Sequence, residues 1–218
     1  MNKILTLAFM LLAMPVFSYA QDWANTTRYA QENKKVTVKP KAVFMGDSIT
    51  QCWPDSDPAF FTYNNFLCRG ISGQPTAHML CRFRKDVLDL DPEYVVILGG
   101  TNDIALNNGP MPLEDTYNNI VSMCEIAKVN KVKPVICSVL PCKGYHWRPE
   151  VTDAGDQIVR LNKMLKSYAK KNRIKYVDYH SAMKDRENGL PSELSYDGCH
   201  ATLAGYKIME EIVLRVLK

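Results

Sequence analysis

The sequence predicts a three-layer α/β/α sandwich built on a five-stranded parallel sheet, and three observations carry that expectation. Five short apolar runs recur along the chain, and the one at Tyr94–Leu98 is continuous, as in strands covered on both faces. Longer stretches with apolar residues at helical spacing separate these runs, the pattern of a parallel sheet with helices on both sides. No internal repeat or interdomain linker interrupts the alternation. Residues 21–218 are therefore expected to form one domain, large enough for a full hydrophobic core.

Taken in order, Met1–Ala20 reads as a secretory signal peptide. Lys3 supplies the positive start, Ile4–Leu12 the apolar centre, and Ser18-Tyr19-Ala20 the small residues at the cleavage positions. The expected mature chain begins at Gln21 and is exported, to a periplasm or to the medium. The apolar run is too short for a comfortable membrane span, and no later stretch is long enough either, so no stable membrane insertion is expected. Asp22–Lys39 is polar and should pack on the outside of the domain.

Ala42–Met45 is the first expected strand, and Gly46 and Asp47 break it at Ser48. A serine there stands at the carboxyl edge of the sheet, where open α/β folds bind ligands. Serine is also a favoured helix N-cap, so capping is the competing reading. Phe66–Arg69 is the second strand. Thr76–Leu88 is helical, with Met79, Leu80, Phe83, Val87 and Leu88 at helical spacing, and Asp91-Pro92 stops it. After Tyr94–Leu98, a helix is expected over Leu113–Asn130, with Ile120, Cys124 and Ala127 on its inner face. Pro134–Val139 is the fourth strand, and Leu140–Thr152 a loop carrying Tyr145, His146 and Trp147. A helix over Asp153–Lys171, a strand over Ile174–Asp178 and a final helix beginning at Thr202 complete the chain.

Charge and cysteine content exclude several classes. Lys and Arg number 27 against 23 Asp and Glu, and the small excess is spread along the chain. The densest runs, Asn33-Lys34-Lys35 and Lys170-Lys171-Asn172-Arg173, read as solvated surface, so nucleic acid is not an expected partner. The seven cysteines are an odd number, which leaves at least one thiol unpaired or intermolecular in an exported protein. None shows Cys-x-x-Cys spacing. Cys68, Cys124 and Cys137 fall inside expected strands or helices and read as small buried apolar residues.

Four polar breaks fall on loops expected at one edge of the sheet. Ser48 follows the first strand, Arg69-Gly70-Ile71-Ser72-Gly73-Gln74 the second, and Gly99-Gly100-Thr101-Asn102-Asp103 the third. Asp197-Gly198-Cys199-His200 precedes the last helix. Each alone reads as a turn or a cap, but together they complement one another chemically. A serine nucleophile needs a base, usually histidine, and that histidine needs a carboxylate to hold its tautomer. Acyl transfer also needs donors for the developing oxyanion, which a glycine N–H and an asparagine amide can supply.

These blocks, Gly46-Asp47-Ser48-Ile49-Thr50, Gly70-Ile71-Ser72-Gly73, Gly99-Gly100-Thr101-Asn102-Asp103 and Asp197-Gly198-Cys199-His200, resemble the four signature blocks of the SGNH (GDSL-type) esterase and lipase family, in the same order. The resemblance implies Ser48 as nucleophile, His200 as general base and acid, and Asp197 as the carboxylate orienting His200. It implies an oxyanion hole from the Ser48 and Gly73 N–H groups and the Asn102 amide. It also implies a flavodoxin-like sheet of order 2-1-3-4-5, a serine esterase activity, and no cofactor. One departure is Cys68, where the second block often opens with asparagine.

Trp53, His146 and Trp147 are the residues expected to shape a substrate cleft, in the segments Gln51–Phe61 and Leu140–Thr152. Aromatic rings mixed with polar groups suit a sugar ring, so the expected substrate is a small-molecule or oligosaccharide ester, with acetyl as the acyl group. The rivals are a lysophospholipase or thioesterase with a long apolar groove, and a glycan-binding module without catalysis. Asp47 and Asp103 are expected to tie down their loops by hydrogen bonds. His78 reads as a surface or capping residue. No metal is expected, because Asp178, His180, Asp197 and His200 lack ligand spacing.

Overall fold

In β1 (Ala42–Gly46) successive side chains part to opposite faces of the sheet and are buried on both. Val43 and Met45 enter one core with Met79, Phe83, Ile120 and Leu161. Ala42 and Phe44 enter the other with Trp53, Tyr206 and Val213. The computed structural model describes residues 22–218. The expected signal peptide, Met1–Ala20, lies outside the described residues.

β2 (Phe66–Gly70), β3 (Tyr94–Leu98), β4 (Lys133–Cys137) and β5 (Lys175–Val177) complete a five-stranded sheet of order β2-β1-β3-β4-β5. Every pairing is parallel, so strand count, direction and order match the expectation. The helices in chain order are α1 (Ala30–Asn33), α2 (Ser48–Gln51), α3 (Trp53–Ser56), α4 (Pro58–Tyr63) and α5 (Thr76–Asp86), then α6 (Thr101–Ile104), α7 (Leu113–Val129), α8 (Ala154–Asn172), α9 (Tyr179–Met183) and α10 (Leu203–Val216). Residues of α5, α7 and α8 line one core, and residues of α3, α4, α9 and α10 the other. The sheet is therefore the middle of three layers.

The ends expected for the long helices are met within two residues; the largest difference is in α5, which stops at Asp86 and is followed by a 3₁₀ turn over Leu88–Leu90. The single-turn helices α2, α3, α6 and α9 were not legible from periodicity. Four or five residues give no repeat to read, and such pieces are held by tertiary packing.

The strand register brings the site together. Gly46 stands level with Gly70 on one side and Leu98 on the other, so three loops leave the sheet at the same edge. Gly70 is required by close approach. A Cβ there would lie 2.3 Å from the Gln51 N and 2.7 Å from the Asp47 carbonyl oxygen, both backbone atoms. The missing side chain lets α2 sit directly against the end of β2.

Behind this edge, Arg82 is fully buried and donates to the Gly46 and Arg69 carbonyl oxygens, to Gln74 Oε1 and to Asp86. The N-terminal segment straps over the same region: Tyr29 donates to the Gly70 carbonyl, and Gln74 Nε2 donates to the Ala24 carbonyl at 2.8 Å. All seven cysteines are free. Cys124 and Cys137 are buried as expected, and Cys68 is half-buried with its thiol donating to the Thr50 carbonyl at 3.2 Å. Among the described residues no helix is long and apolar enough to cross a membrane.

Candidate active site

Asp47, not Ser48, caps α2. Its Oδ1 accepts the Ile49 N–H at 3.0 Å, which leaves the Ser48 hydroxyl unused by the helix. Ser48 is the first residue of α2, so its own N–H has no intrahelical acceptor. The hydroxyl lies 2.9 Å from His200 Nε2, although the two residues are 152 positions apart.

His200 comes from the loop before α10, which is folded by its own polar groups. Ser195 Oγ accepts the Gly198 N–H at 2.8 Å and donates to the His200 carbonyl at 2.8 Å. Asp197 divides its oxygens between the loop and the ring. Oδ1 accepts the Cys199 and His200 N–H groups at 2.9 and 2.8 Å, and Oδ2 lies 2.8 Å from His200 Nδ1. A carboxylate only accepts, so in the neutral ring Nδ1 carries the proton and Nε2 is left to accept from Ser48. Partial burial would raise the Asp197 carboxyl, but those N–H groups and the ring hold it below its ordinary value.

Gly73 and Asn102 face the same cleft as Ser48. Gly73 has φ +75°, and nothing lies within 4 Å of where a Cβ would stand, so its requirement is conformational rather than steric. The Ser72 N–H donates to Gln51 Oε1 at 2.8 Å, pinning this loop to α2. Asn102, only 3% exposed, has a buried Nδ2 without a partner among the described residues. Its Oδ1 accepts Asn107 Nδ2 at 2.5 Å, and Asn107 Oδ1 accepts Trp147 Nε1–H at 3.1 Å.

Asp103 holds the Thr76 N–H and hydroxyl, fastening the β3 loop to the start of α5. Asp47 has a larger energetic consequence. It is fully buried, its Oδ2 has no partner among the described residues, and burial pushes its carboxyl up to about 6, against the opposing pull of the Ile49 N–H and His200. The folded state thus binds the Asp47 proton more tightly than the unfolded chain, whose aspartates titrate near ~3.9. Its stability contribution is present below about pH 4 and lost as pH rises through about 6. Asp47→Asn keeps the oxygen for Ile49 and removes the charge. Relative to the parent it should gain on the order of 1–3 kcal/mol between pH 4 and pH 8, most of it by pH 7. Denaturant unfolding of both proteins across that range checks this, and a constant difference would contradict it.

The cleft has a volume of about 590 Å³. His146 and Trp147 line it, with their rings 4.8 Å apart edge to face, and Trp147 lies 6.1 Å from the His200 ring. Trp53 does not. It is 1% exposed, stacked at 5.1 Å on Phe60 and at 5.3 Å on Tyr206, with its Nε1–H donated to Glu210 Oε1 at 3.2 Å. The single turn of α3 points the indole inward, where it packs a core and finds the acceptor a buried indole needs. Phe60 and Phe61 are buried beside it, so the aromatic residues of Gln51–Phe61 build core, and Cys52 is the residue of this segment that reaches the cleft wall. Ser72 and Thr101, from two of the signature blocks, also line the cleft, as do Cys52, Asn107 and Tyr196, to which the sequence assigned no part in the site. Tyr196 adjoins Asp197 and is 75% exposed, its one legible signal being that position.

Among the described residues no three His, Cys, Asp or Glu side chains cluster as a metal site, and Asp178 and His180 do not line the cleft that holds Asp197 and His200. His180 lies instead beside Ser138, whose Oγ accepts its N–H at 2.8 Å. His78 is not a cap; its ring packs edge-on against Trp23 at 4.7 Å.

Comparison with known proteins gives this geometry a context. A GDSL-like lipase from Bacteroides thetaiotaomicron superposes with a TM-score of 0.86 at 44% identity, over 89% of this chain and 97% of that one. An acetylxylan esterase from Geobacillus stearothermophilus is 22% identical over 83% of this chain and 95% of its own. An uncharacterized lipoprotein from Bacillus subtilis is 34% identical, but the match spans 35% of this chain and only 33% of that protein. The model of the GDSL-like lipase/acylhydrolase family matches residues 44–208, a span that runs from β1 into α10. The chain belongs to this family, and it is a carboxylic ester hydrolase.

Proposed function

We propose that the protein is an exported serine esterase that hydrolyses acetyl and other short-chain esters of carbohydrates through an acyl-enzyme intermediate. Ser48 attacks the ester carbonyl as His200 Nε2 takes its proton, and the Ser48 and Gly73 N–H groups and Asn102 Nδ2 receive the oxyanion. His200 then protonates the leaving alcohol. Water, activated by the same ring, releases the acid.

The observation that carries the substrate reading is the make-up of the cleft. Near Ser48 its wall is small or polar, from Cys52, Ser72 and Gly73, while His146, Trp147 and Tyr196 bring aromatic rings to it. Such rings offer a face for a sugar to stack on, with polar groups beside it. The aromatic residues after the nucleophile, which would be the natural wall of an acyl groove, are committed to the core. The acetylxylan esterase relative is consistent with this reading.

A groove for long chains would gain roughly 0.8 kcal/mol per buried methylene, so rates would climb with chain length. The proposal expects the opposite in a p-nitrophenyl ester series from acetyl to dodecanoyl. kcat/KM should be highest for acetyl, lower by butyryl and very low at octanoyl, with acetate released from acetylated xylan or pectin fragments. A maximum at octanoyl or beyond would replace this reading with a lipase.

A further inference from the structure

An asparagine amide can be turned end for end with little change of shape, so an oxyanion donor of this type needs something to choose its orientation. If Asn102 presented Oδ1 to the cleft, it would repel the charge it is meant to receive. Its main chain does not make that choice, and its neighbours must.

We infer that Asn107 is a positioning residue of the oxyanion hole, and that the Trp147 indole sets the polarity of the pair. The inference rests on the reading of Asn102 as an oxyanion donor. Indole Nε1–H donates and cannot accept. It lies 3.1 Å from Asn107 Oδ1, which fixes the oxygen of that amide toward Trp147. The Asn107 NH₂ is thereby turned to Asn102, where it donates to Oδ1 at 2.5 Å. With Oδ1 held, the Asn102 NH₂ is the end left over, and its buried Nδ2 has no partner among the described residues. One donor-only group thus orients two amides in series.

The backbone is shaped to allow it. Leu106 has φ +54°, a left-handed conformation that a leucine seldom adopts. That turn brings the chain back after α6, so that the Asn107 N–H also donates to the Asn102 carbonyl at 3.0 Å. Asn107 grips Asn102 by main chain and side chain together. A locally strained residue adjoining a site is where such a constraint is expected.

The arrangement predicts an order of damage that packing does not. Asn107→Asp is nearly isosteric, yet its carboxylate can only accept, so it would draw the Asn102 NH₂ toward itself and aim Oδ1 at the oxyanion. It should lose on the order of 10²–10³-fold in kcat with little change in KM, as much as Asn102→Ala. Asn107→Ala removes the constraint without reversing it and should lose less, about tenfold. Trp147→Phe keeps the ring and loses the N–H, and should lose a few-fold to about tenfold in kcat. In an Asn102→Ala background Asn107→Asp should cost at most about threefold more, because the group it acts through is gone.

The experiment is steady-state kinetics on p-nitrophenyl acetate for these variants, with circular dichroism and thermal unfolding to establish that each is folded. Greater loss in Asn107→Asp than in Asn107→Ala, vanishing in the Asn102→Ala background, is the expected result. Equal or smaller loss in Asn107→Asp, or a loss that persists in that background, would overturn the inference while leaving Asn102 in place. An unfolded Asn107→Asp would transfer the test to Trp147→Phe, whose full kcat would overturn it. Full activity in Asn102→Ala would overturn the reading of Asn102 and the relay with it.

Discussion

Ser48→Ala, His200→Ala and the double variant should all lose activity by similar factors, each on the order of 10³-fold or more in kcat. The expectation follows from the single hydrogen-bonded line that runs from Asp197 Oδ2 through the His200 ring to Ser48 Oγ, at 2.8 and 2.9 Å. Without Ser48 there is nothing for His200 to deprotonate, and without His200 the hydroxyl stays a weak nucleophile at neutral pH. Removing the second member therefore takes away little that the first removal left. What remains in each case is binding and the oxyanion donors, which do not depend on the pair. Losses that multiplied in the double variant would show two residues acting independently, and the line of hydrogen bonds would then be structural.

Asn102→Ala should lose about 10²- to 10³-fold in kcat with little change in KM. The split between the two constants is the informative part. An interaction formed only as charge develops on the carbonyl oxygen lowers the barrier without tightening substrate binding, so its loss is felt in kcat. The buried, unpartnered Nδ2 has the character expected of such a donor. A buried polar atom without a partner costs free energy in the resting protein, and an oxyanion would satisfy it at the moment of reaction. A raised KM with kcat unchanged would place Asn102 in ground-state binding instead.

The fold was legible because its signals are long and redundant. Tyr94–Leu98 has too many consecutive apolar residues for a one-faced strand, and the helices over α5, α7, α8 and α10 repeat their apolar residues for several turns. The residues that meet in the cleft were legible for a different reason. Ser48, Gly73, Asn102, Asp197 and His200 each stand where an apolar run breaks or a helix is about to start, and parallel topology carries those breaks to one edge. Trp53 marks the limit of such reasoning. An aromatic residue five positions after a serine is equally at home in a cleft or a core, and α3 is too short for its sequence to say which way the indole turns. Asn107 was not legible at all. It lies in a polar loop, Asn107-Asn108-Gly109, and reaches Asn102 only because Leu106 takes a left-handed turn that nothing in its side chain announces.

The central claim is that Ser48 is the nucleophile, and covalent labelling tests it most directly. Incubating the protein with a serine-reactive fluorophosphonate, followed by intact mass measurement and peptide mapping, should show one adduct per chain, located on Ser48. Esterase activity should fall in proportion to the labelled fraction, and Ser48→Ala should take up no label under the same conditions. His200→Ala should be labelled far more slowly, because its serine lacks the base that activates it. An adduct on another residue with full loss of activity, or undiminished labelling of Ser48→Ala, would contradict the account.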